Sequence, residues 1–346
     1  MTPLKFAVLG TGFWSYYQIQ AWFEVGGVEL AAVYNRTVSK AEKVAARFNV
    51  PRVYGDVEEL LKNEKLDFVD IITEINAHAP FVKLAAQYRL PVICQKPMAP
   101  DLATAEEMVS TCQKAGVPLF IHENWRWQTP IRAIQQVLAE GSIGTPFRAR
   151  LNMISGFPVF ANQPFLKTLK QFILTDLGSH ILDTARFLFG EANSLYCQTR
   201  KVHAEIAGED VATVMLEMGG KTSVTCYLAY AENYLEQDHF PQTYIFIEGE
   251  RGSVQLGPDY WLRVTTKDGT LARRVPPPRY AWANPAYDVV HASTVPCNAD
   301  LLKALKGEGQ AETTGEDNLK TVRLVFASYD SAGHGQAIHF KNNQEL

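Results

Sequence analysis

The first third of the chain alternates short apolar runs with longer segments in which apolar residues recur every three or four positions. Short runs rich in β-branched residues predict buried strands and the longer period predicts helices, so together they indicate βαβ units and a parallel sheet. The predicted strands are residues 5–9, 28–34, 51–54, 68–72, 92–94 and 119–122. Six strands joined by five crossovers predict a complete doubly wound α/β domain over residues 1–122.

Two of the predicted helices in this region begin with the same signal. Asp56 and Asp101 each precede a segment with acidic residues near its start, the pattern of an N-cap side chain followed by first-turn acids. Gly116 is the predicted C-cap of the second of these helices.

From residue 123 onward, Gly and Pro separate longer stretches in which apolar and polar residues alternate. Alternation with turn residues between the stretches predicts neighbouring antiparallel strands. The predicted strands are residues 192–203, 211–218, 221–230, 242–248 and 260–266, and the predicted helices are 130–140, 179–189, 297–306 and 317–331. Residues 123–346 are therefore predicted to form an α+β domain with a large open, mostly antiparallel sheet.

Composition narrows the choice of partner. The chain has 346 residues, 33 Lys and Arg against 37 Asp and Glu, and a formal charge of −4. A nearly neutral balance lacks the clustered basic charge that nucleic acids and anionic membranes require. The sequence contains no run of 18 apolar residues, so we expect no membrane span. The N-terminal segment lacks a signal-peptide pattern. We expect a small-molecule partner, with no nucleic acid and no membrane.

The five cysteines suggest a reducing compartment. Cys94, Cys112, Cys197, Cys226 and Cys297 are widely spaced and include no CxxC pair. Such spacing argues against a zinc knuckle and a disulfide framework, and favours buried free thiols. We expect a cytoplasmic protein that needs no metal.

A glycine-rich segment lies directly after the first predicted strand. In Gly10-Thr11-Gly12-Phe13-Trp14-Ser15, the first Gly permits a tight turn and the second lets the backbone approach a pyrophosphate. Ser15 replaces the third Gly of the usual pattern. The context favours dinucleotide binding, whereas a structural turn or an S-adenosylmethionine loop are the alternatives.

The end of the second predicted strand leaves the choice between NAD and NADP open. Asn35 and Arg36 stand where an acidic residue would bind the adenosine ribose of NAD. Arg36 could pair with a 2′-phosphate, Asn35 could bond an unphosphorylated ribose, and Arg36 could also be an ordinary solvated residue.

The segment Cys94-Gln95-Lys96-Pro97-Met98 follows the fifth predicted strand, at the sheet edge where open α/β folds bind ligands. A Lys96 ammonium there could hydrogen-bond a substrate oxygen and stabilise developing negative charge. Taken alone, a lysine before proline is more often a surface residue.

Asp176 and His180 are four residues apart at a predicted helix start, so their side chains can share one face. Imidazole titrates near neutral pH and suits a general base, and a neighbouring carboxylate can orient it. Alternatively, Asp176 is the N-cap of the helix. Asp183 and Arg186 are expected to form an ordinary surface pair.

Taken together, the glycine-rich loop, the Lys96-Pro97 pair, the aromatic segment Asn124-Trp125-Arg126-Trp127 and the later D-x-G-x-H-x-x-D pattern resemble the glucose–fructose oxidoreductase / inositol dehydrogenase / rhizopine catabolism family. The resemblance implies that Lys96, Asp176 and His180 form the catalytic group and also contact the substrate. The family usually has Glu where this chain has Gln95.

The resemblance also implies a set of binding residues. A bound nicotinamide dinucleotide would contact the residues Gly10, Gly12, Phe13, Trp14, Asn35, Arg36, Thr73, Asn76, His78 and Lys96. His78 has an alternative interpretation as a structural residue at a helix start. Asn124 and Arg126 are expected to contact the substrate, because alternation along an extended chain would place them on one side.

Three further segments resemble a bacterial branch of this family whose members oxidise D-apiose, a branched furanose, at its anomeric carbon with NAD. These segments are Leu174-Thr175-Asp176, Glu248-Gly249-Glu250-Arg251-Gly252 and Val275-Pro276-Pro277-Pro278-Arg279-Tyr280-Ala281-Trp282. The alternatives are an NADP-dependent aldose or inositol dehydrogenase and a dinucleotide-sensing regulator without catalysis. Apolar residues on both faces of predicted strands such as 211–218 predict a homo-oligomer formed through the second sheet.

Overall fold

The computed structural model describes residues 2–155, 159–231 and 242–340. The chain divides into two compact units. The first contains residues 1–124, 281–283 and 294–322, and the second contains 125–280, 284–293 and 323–346. The segment 294–322 thus packs with the first unit, although it is far from it in sequence. The two-segment division at residue 122 stays a prediction.

The first unit is built on a six-stranded parallel sheet with the order β3-β2-β1-β4-β5-β6. Its strands are β1 (Leu4–Leu9), β2 (Val28–Tyr34), β3 (Arg52–Tyr54), β4 (Phe68–Ile71), β5 (Val92–Gln95) and β6 (Leu119–His122). Its helices between the strands are α1 (Ser15–Val25), α2 (Val38–Phe48), α3 (Val57–Asn63), α4 (His78–Gln87) and α5 (Leu102–Ala115). The predicted doubly wound sheet is confirmed, and its strand order reverses between β1 and β4, the position where this fold binds ligands.

Local signals account for the predicted helix ends. The carboxylates of Asp56 and Asp101 accept hydrogen bonds from the backbone N–H groups of Glu59 and Thr104, both at 2.8 Å. Gly116 ends α5 in the left-handed conformation, with φ of 69°, which glycine adopts without steric cost. These three residues confirm the predicted caps.

Aromatic packing fills the core of this unit. The Phe6 and Phe68 rings stack with centroids 4.9 Å apart, and the Trp22 ring lies 5.5 Å from Phe68. All three side chains are fully buried, and each such burial is worth about 2–3 kcal/mol of transfer free energy. Strand β4 and helix α1 are held together by this cluster.

The second unit is built on a nine-stranded sheet with the order β14-β13-β12-β11-β7-β10-β9-β8-β15. Its strands are β7 (Pro146–Ser155), β8 (Ala192–Arg200), β9 (Val211–Met218), β10 (Ser223–Tyr230), β11 (Tyr244–Gly249), β12 (Gly252–Leu256), β13 (Trp261–Thr266), β14 (Gly269–Arg274) and β15 (Ile338–His339). Strands β7 and β10 are parallel and the other neighbours are antiparallel. The predicted large, mostly antiparallel sheet is therefore confirmed.

The remaining helices are α6 (Thr129–Ala139), α7 (Val159–Asn162), α8 (Ser179–Phe189), α9 (Asp288–Leu305) and α10 (Gly315–His334). Short 3-10 turns occur at Ile75–Ala77, Trp125–Trp127, Pro164–Thr168, Pro258–Tyr260 and Pro285–Tyr287, and a π-helical segment at Leu174–Gly178. Among the described residues, no helix has the length and apolar character needed to cross a membrane.

The second half contains elements that differ from the prediction, among them a strand and a helix. Strand β7 was not predicted, although Ala149, Leu151 and Met153 alternate as buried positions along it. The helix expected at 297–306 begins at Asp288, and Pro296 lies inside it. Pro296 cannot donate a backbone hydrogen bond and its ring crowds the preceding turn, yet α9 continues through it, with Ala292, Cys297 and Leu301 buried along the same helix.

Candidate active site

The glycine-rich loop is shaped by a close approach of two backbone segments at the switch point. Gly10 has φ of 107°, and a Cβ placed on it would lie 2.3 Å from the carbonyl oxygen of Ile72, so only glycine fits there. The hydroxyl of Ser15 donates a hydrogen bond of 2.7 Å to the carbonyl of Gly12. Ser15 therefore replaces the third glycine without loosening the turn.

The loop fits a dinucleotide on grounds of space and hydrogen bonding. A Cβ on Gly12 would meet nothing within 4 Å, so the backbone is open on that side. The buried hydroxyls of Thr11 and Thr73 have no hydrogen-bond partner among the described residues. Helix α1 begins just beyond and has no acidic residue in its first turn, which favours an anion at its N-terminus. These residues can hold the pyrophosphate of NAD.

The predicted adenosine contacts lie at the end of β2. The Asn35 side-chain oxygen accepts a hydrogen bond of 2.8 Å from the Thr37 N–H, so this oxygen closes the turn. Arg36 is exposed. The Phe13 ring is 70% exposed, Trp14 is half-buried and Asn76 is exposed. Their contacts with a cofactor stay predictions.

His78 links two segments at this edge. Its Nδ1 lies 3.1 Å and 3.2 Å from the carbonyl oxygens of Pro97 and Met98, and its Nε2 lies 3.2 Å from that of Thr73. Burial lowers the pKa of His78, while these carbonyls raise it. The contacts support the structural interpretation of His78 and do not test its role in cofactor binding.

Lys96 directly follows β5 and is half-buried. Its backbone N–H donates a 3.1 Å hydrogen bond to Oε1 of Gln95. The side chain of Gln95 thereby holds the backbone that carries the Lys96 side chain.

Asp176 and His180 lie where a π-helical segment passes into α8. Such segments are rare and are often found at functional sites. His180 is 4% exposed, and its ring stacks on Trp125 with centroids 4.3 Å apart. The indole N–H of Trp125 donates a 2.9 Å hydrogen bond to the hydroxyl of Thr243, which orients the stacked pair.

The interpretation of Asp176 as a helix cap is not supported. The N-cap residue of α8 is Gly178, and no side chain caps this helix. Burial raises the pKa of Tyr230, and the negative charge of Asp176 raises it further. The Asp176 carboxylate is half-buried, and its catalytic role stays a prediction.

Sequence reasoning missed the group that holds this segment. The carboxylate of Glu209 accepts hydrogen bonds from the backbone N–H groups of Phe172 and Leu174, both at 3.2 Å, and from the hydroxyl of Tyr329 at 2.7 Å. The N–H of Thr175 donates to the same hydroxyl at 3.3 Å. Glu209 and Tyr329 together fix the backbone just before Asp176.

Arg126 is engaged in a buried ion pair within the second unit. Its Nε and Nη2 donate to the two carboxylate oxygens of Asp183 at 2.8 Å and 2.6 Å. The predicted pair of Asp183 and Arg186 is present, with Nη1 of Arg186 3.7 Å from Oδ1 of Asp183, but both residues are buried, so its expected surface location is wrong. Trp125–Trp127 is a 3-10 turn and not extended, and the expected alternation of Asn124 and Arg126 is therefore also wrong. Their substrate contacts stay predictions.

The predicted site residues are divided between the two units. The loop, Thr73, Lys96 and Asn124 belong to the first, whereas Arg126, Asp176 and His180 belong to the second. Among the residues described here, no cluster of three or more His, Cys, Asp or Glu side chains is arranged to hold a metal ion.

Comparison with known proteins gives consistent matches along the chain. Residues 4–123 match the model described as "Oxidoreductase family, NAD-binding Rossmann fold", and residues 131–255 match "GFO/IDH/MocA C-terminal domain". The chain is 42% identical to D-apiose dehydrogenase of Paraburkholderia graminis over 98% of this chain and 90% of that protein. It is 40% identical to D-apiose dehydrogenase of Rhizobium rhizogenes, over 98% of each chain.

A solved structure extends the likeness to three dimensions. The oxidoreductase from Agrobacterium radiobacter in complex with NAD+, L-tartaric acid and magnesium superposes with a TM-score of 0.95. The two chains are 39% identical and the match covers 98% of each.

The fit of the loop to NAD predicts different outcomes at its two glycines. Gly12→Ala should keep the urea midpoint of the wild type, because its Cβ meets no protein atom, and should weaken NAD binding by at least about tenfold by filling the open side. Gly10→Ala should lower both the midpoint and the affinity. Fluorescence titration with NADH and urea unfolding measure these effects. Unchanged affinity in Gly12→Ala would place the pyrophosphate elsewhere.

Proposed function

Since the chain belongs to the GFO/IDH/MocA family of NAD-binding oxidoreductases, we propose that it oxidises D-apiose at the anomeric carbon to the lactone. The observation that carries this proposal is the 42% and 40% identity to two D-apiose dehydrogenases over 98% of the chain. The chain is an oxidoreductase, and the family and the loop geometry support NAD as its cofactor.

In the proposed reaction, bound NAD supplies the nicotinamide carbon that accepts a hydride from the sugar. His180 takes the proton of the reacting hydroxyl as general base, and its stacking on Trp125 holds the imidazole plane. Asp176 orients His180 or a sugar hydroxyl. The Lys96 ammonium hydrogen-bonds the reacting oxygen and stabilises the charge that develops on it.

The alternatives predict different results in one assay. With purified protein, absorbance at 340 nm is followed for D-apiose and a panel of aldoses and inositols, with NAD and NADP in separate reactions. We expect the highest kcat/KM for D-apiose with NAD. A preference for NADP and another sugar would favour an aldose or inositol dehydrogenase. Measurable NADH binding without turnover of any sugar would favour a sensor.

Two substitutions test the proposed roles. Lys96→Ala should lower kcat by about a hundredfold or more while NAD affinity stays near that of the wild type, because Lys96 acts on the developing charge. Lys83→Ala, an exposed change on α4, is the matched control.

His180→Asn should remove the acidic limb of the pH–rate profile. A retained limb would assign the base to another residue.

We further propose that the protein forms homo-oligomers through the outward face of the nine-stranded sheet. Alternate residues of β9 are buried, but Met215 on its other face is 51% exposed. Arg150 lies over the ring of Phe246 on the same sheet, 5.0 Å from its centroid. Light scattering should give a dimer or larger, and a monomer would contradict this.

Five free, buried cysteines support a reducing, cytoplasmic location.

A further inference from the structure

A chain of buried polar side chains crosses the first unit beneath the sheet edge that carries Lys96. It runs from Asp70 on β4 through Gln18 on α1 to Gln95 at the end of β5, with His122 and Asn298 beside it. Asp70, Gln18, His122 and Asn298 are fully buried and Gln95 is 7% exposed. Groups this deep need their hydrogen bonds satisfied by one another.

Asp70 is the acceptor at one end of this series of hydrogen bonds. Nε2 of Gln18 donates to its two carboxylate oxygens at 2.8 Å and 2.9 Å, and the indole N–H of Trp22 donates at 2.8 Å. Burial raises the pKa of Asp70 to about 7, and these donors lower it. Above that pH the carboxylate can only accept hydrogen bonds, so the amide nitrogen of Gln18 must point toward it.

The orientation of one amide then dictates the next. With its nitrogen on Asp70, Gln18 presents Oε1 to Gln95, whose Nε2 donates to it at 2.5 Å. Gln95 consequently presents its own oxygen to the backbone N–H of Lys96, at 3.1 Å. The Lys96 N–H can only donate, and the Asp70 carboxylate can only accept. Both ends of this series of hydrogen bonds therefore require the same orientation of the two amides.

The side branch agrees with this direction. Nε2 of Gln95 also lies 3.1 Å from Nδ1 of His122, and Nε2 of His122 lies 2.8 Å from the side-chain oxygen of Asn298. Burial lowers the pKa of His122 to about 4, so the ring is neutral and carries its single proton on Nε2. The Asn298 amide then donates to the backbone carbonyl of Gln18 at 3.4 Å. Each donor meets an acceptor.

We propose that Asp70 is a positioning residue for Lys96, acting through the ordered amides of Gln18 and Gln95. This relay presents a hydrogen-bond acceptor to the Lys96 backbone and so fixes the direction in which the ammonium leaves the sheet edge. The functional part of the proposal rests on the role assigned to Lys96 above, whereas the order of the relay does not.

The relay also accounts for an amide, and not a carboxylate, at position 95. A carboxylate at position 95 would face the side-chain oxygen of Gln18. Gln18 has one amide nitrogen, which Asp70 already occupies, and it cannot serve carboxylates on both sides. In this series of hydrogen bonds the buried carboxylate is at position 70, and the residue at position 95 must then be an amide.

A double-substitution cycle at pH 8 tests this proposal. Gln95→Glu should lower the urea midpoint and reduce kcat by about tenfold or more, because two buried acceptors are left facing each other. Adding Asp70→Asn should reverse the relay, because the new amide at position 70 can donate to the Gln18 oxygen and the Gln18 nitrogen can then donate to the new carboxylate. In this variant His122 carries its proton on Nδ1, toward the carboxylate, and the Asn298 amide turns its nitrogen to Nε2 of His122. The double variant should therefore exceed Gln95→Glu in both midpoint and kcat.

Gln87→Glu, the same chemical change on an exposed residue of α4, is the control and should leave midpoint and kcat unchanged. If the changes in urea midpoint caused by Gln95→Glu and Asp70→Asn simply add in the double variant, the relay is overturned. Coupled midpoints with an unaltered kcat and NAD affinity in Gln95→Glu would overturn the positioning role of Asp70. Wild-type protein that oxidises no sugar would refute the proposed function separately, since the midpoints still test the order of the relay.

Discussion

The carboxylate of Asp70 lies on a central strand of the parallel sheet with none of its surface exposed. A charge buried there without partners would cost several kcal/mol, so the surrounding side chains have to supply donors in fixed directions. Trp22 donates from the aromatic core, and Gln18 donates from α1. The same carboxylate thus connects the packing of the first unit to the order of the amides that reach Lys96.

The second unit uses a comparable arrangement around α8. Asp183 is fully buried between the guanidinium groups of Arg126 and Arg186, and Arg186 continues to Glu191. Glu209 fixes the backbone that enters the π-helical segment. In each unit, hydrogen bonds to a carboxylate thus help to hold the backbone next to a residue that is proposed to do chemistry. Fixed positions of this kind suit groups that must orient a sugar hydroxyl and a proton acceptor.

Sequence reasoning recovered the features that depend on neighbouring residues. The strands of the first sheet follow from short apolar runs, and the caps at Asp56 and Asp101 follow from side chains three residues away from the groups they bond. The glycine-rich loop and the family resemblance likewise rest on continuous motifs. These patterns were sufficient for the fold class and for the choice of candidate loop, lysine and histidine.

The remaining features depend on partners that are distant in the chain. Gln18 meets Asp70 and Gln95 across 52 and 77 positions, and His122 meets Asn298 across 176. Glu209 and Tyr329 are 120 positions apart. No local period indicates such pairs, and for the same reason the sequence did not reveal that Asp183 binds Arg126. The π-helical segment depends on these long-range bonds as well.

If the protein oxidises D-apiose at its anomeric carbon, hydride leaves that carbon for the nicotinamide ring. This transfer is measured with D-apiose deuterated at that carbon, together with NAD, followed by mass spectrometry of the NADH formed. We expect the NADH to carry the deuterium and turnover to slow relative to the unlabelled sugar. NADH that forms without deuterium would show that oxidation occurs at another carbon, contrary to the proposed function.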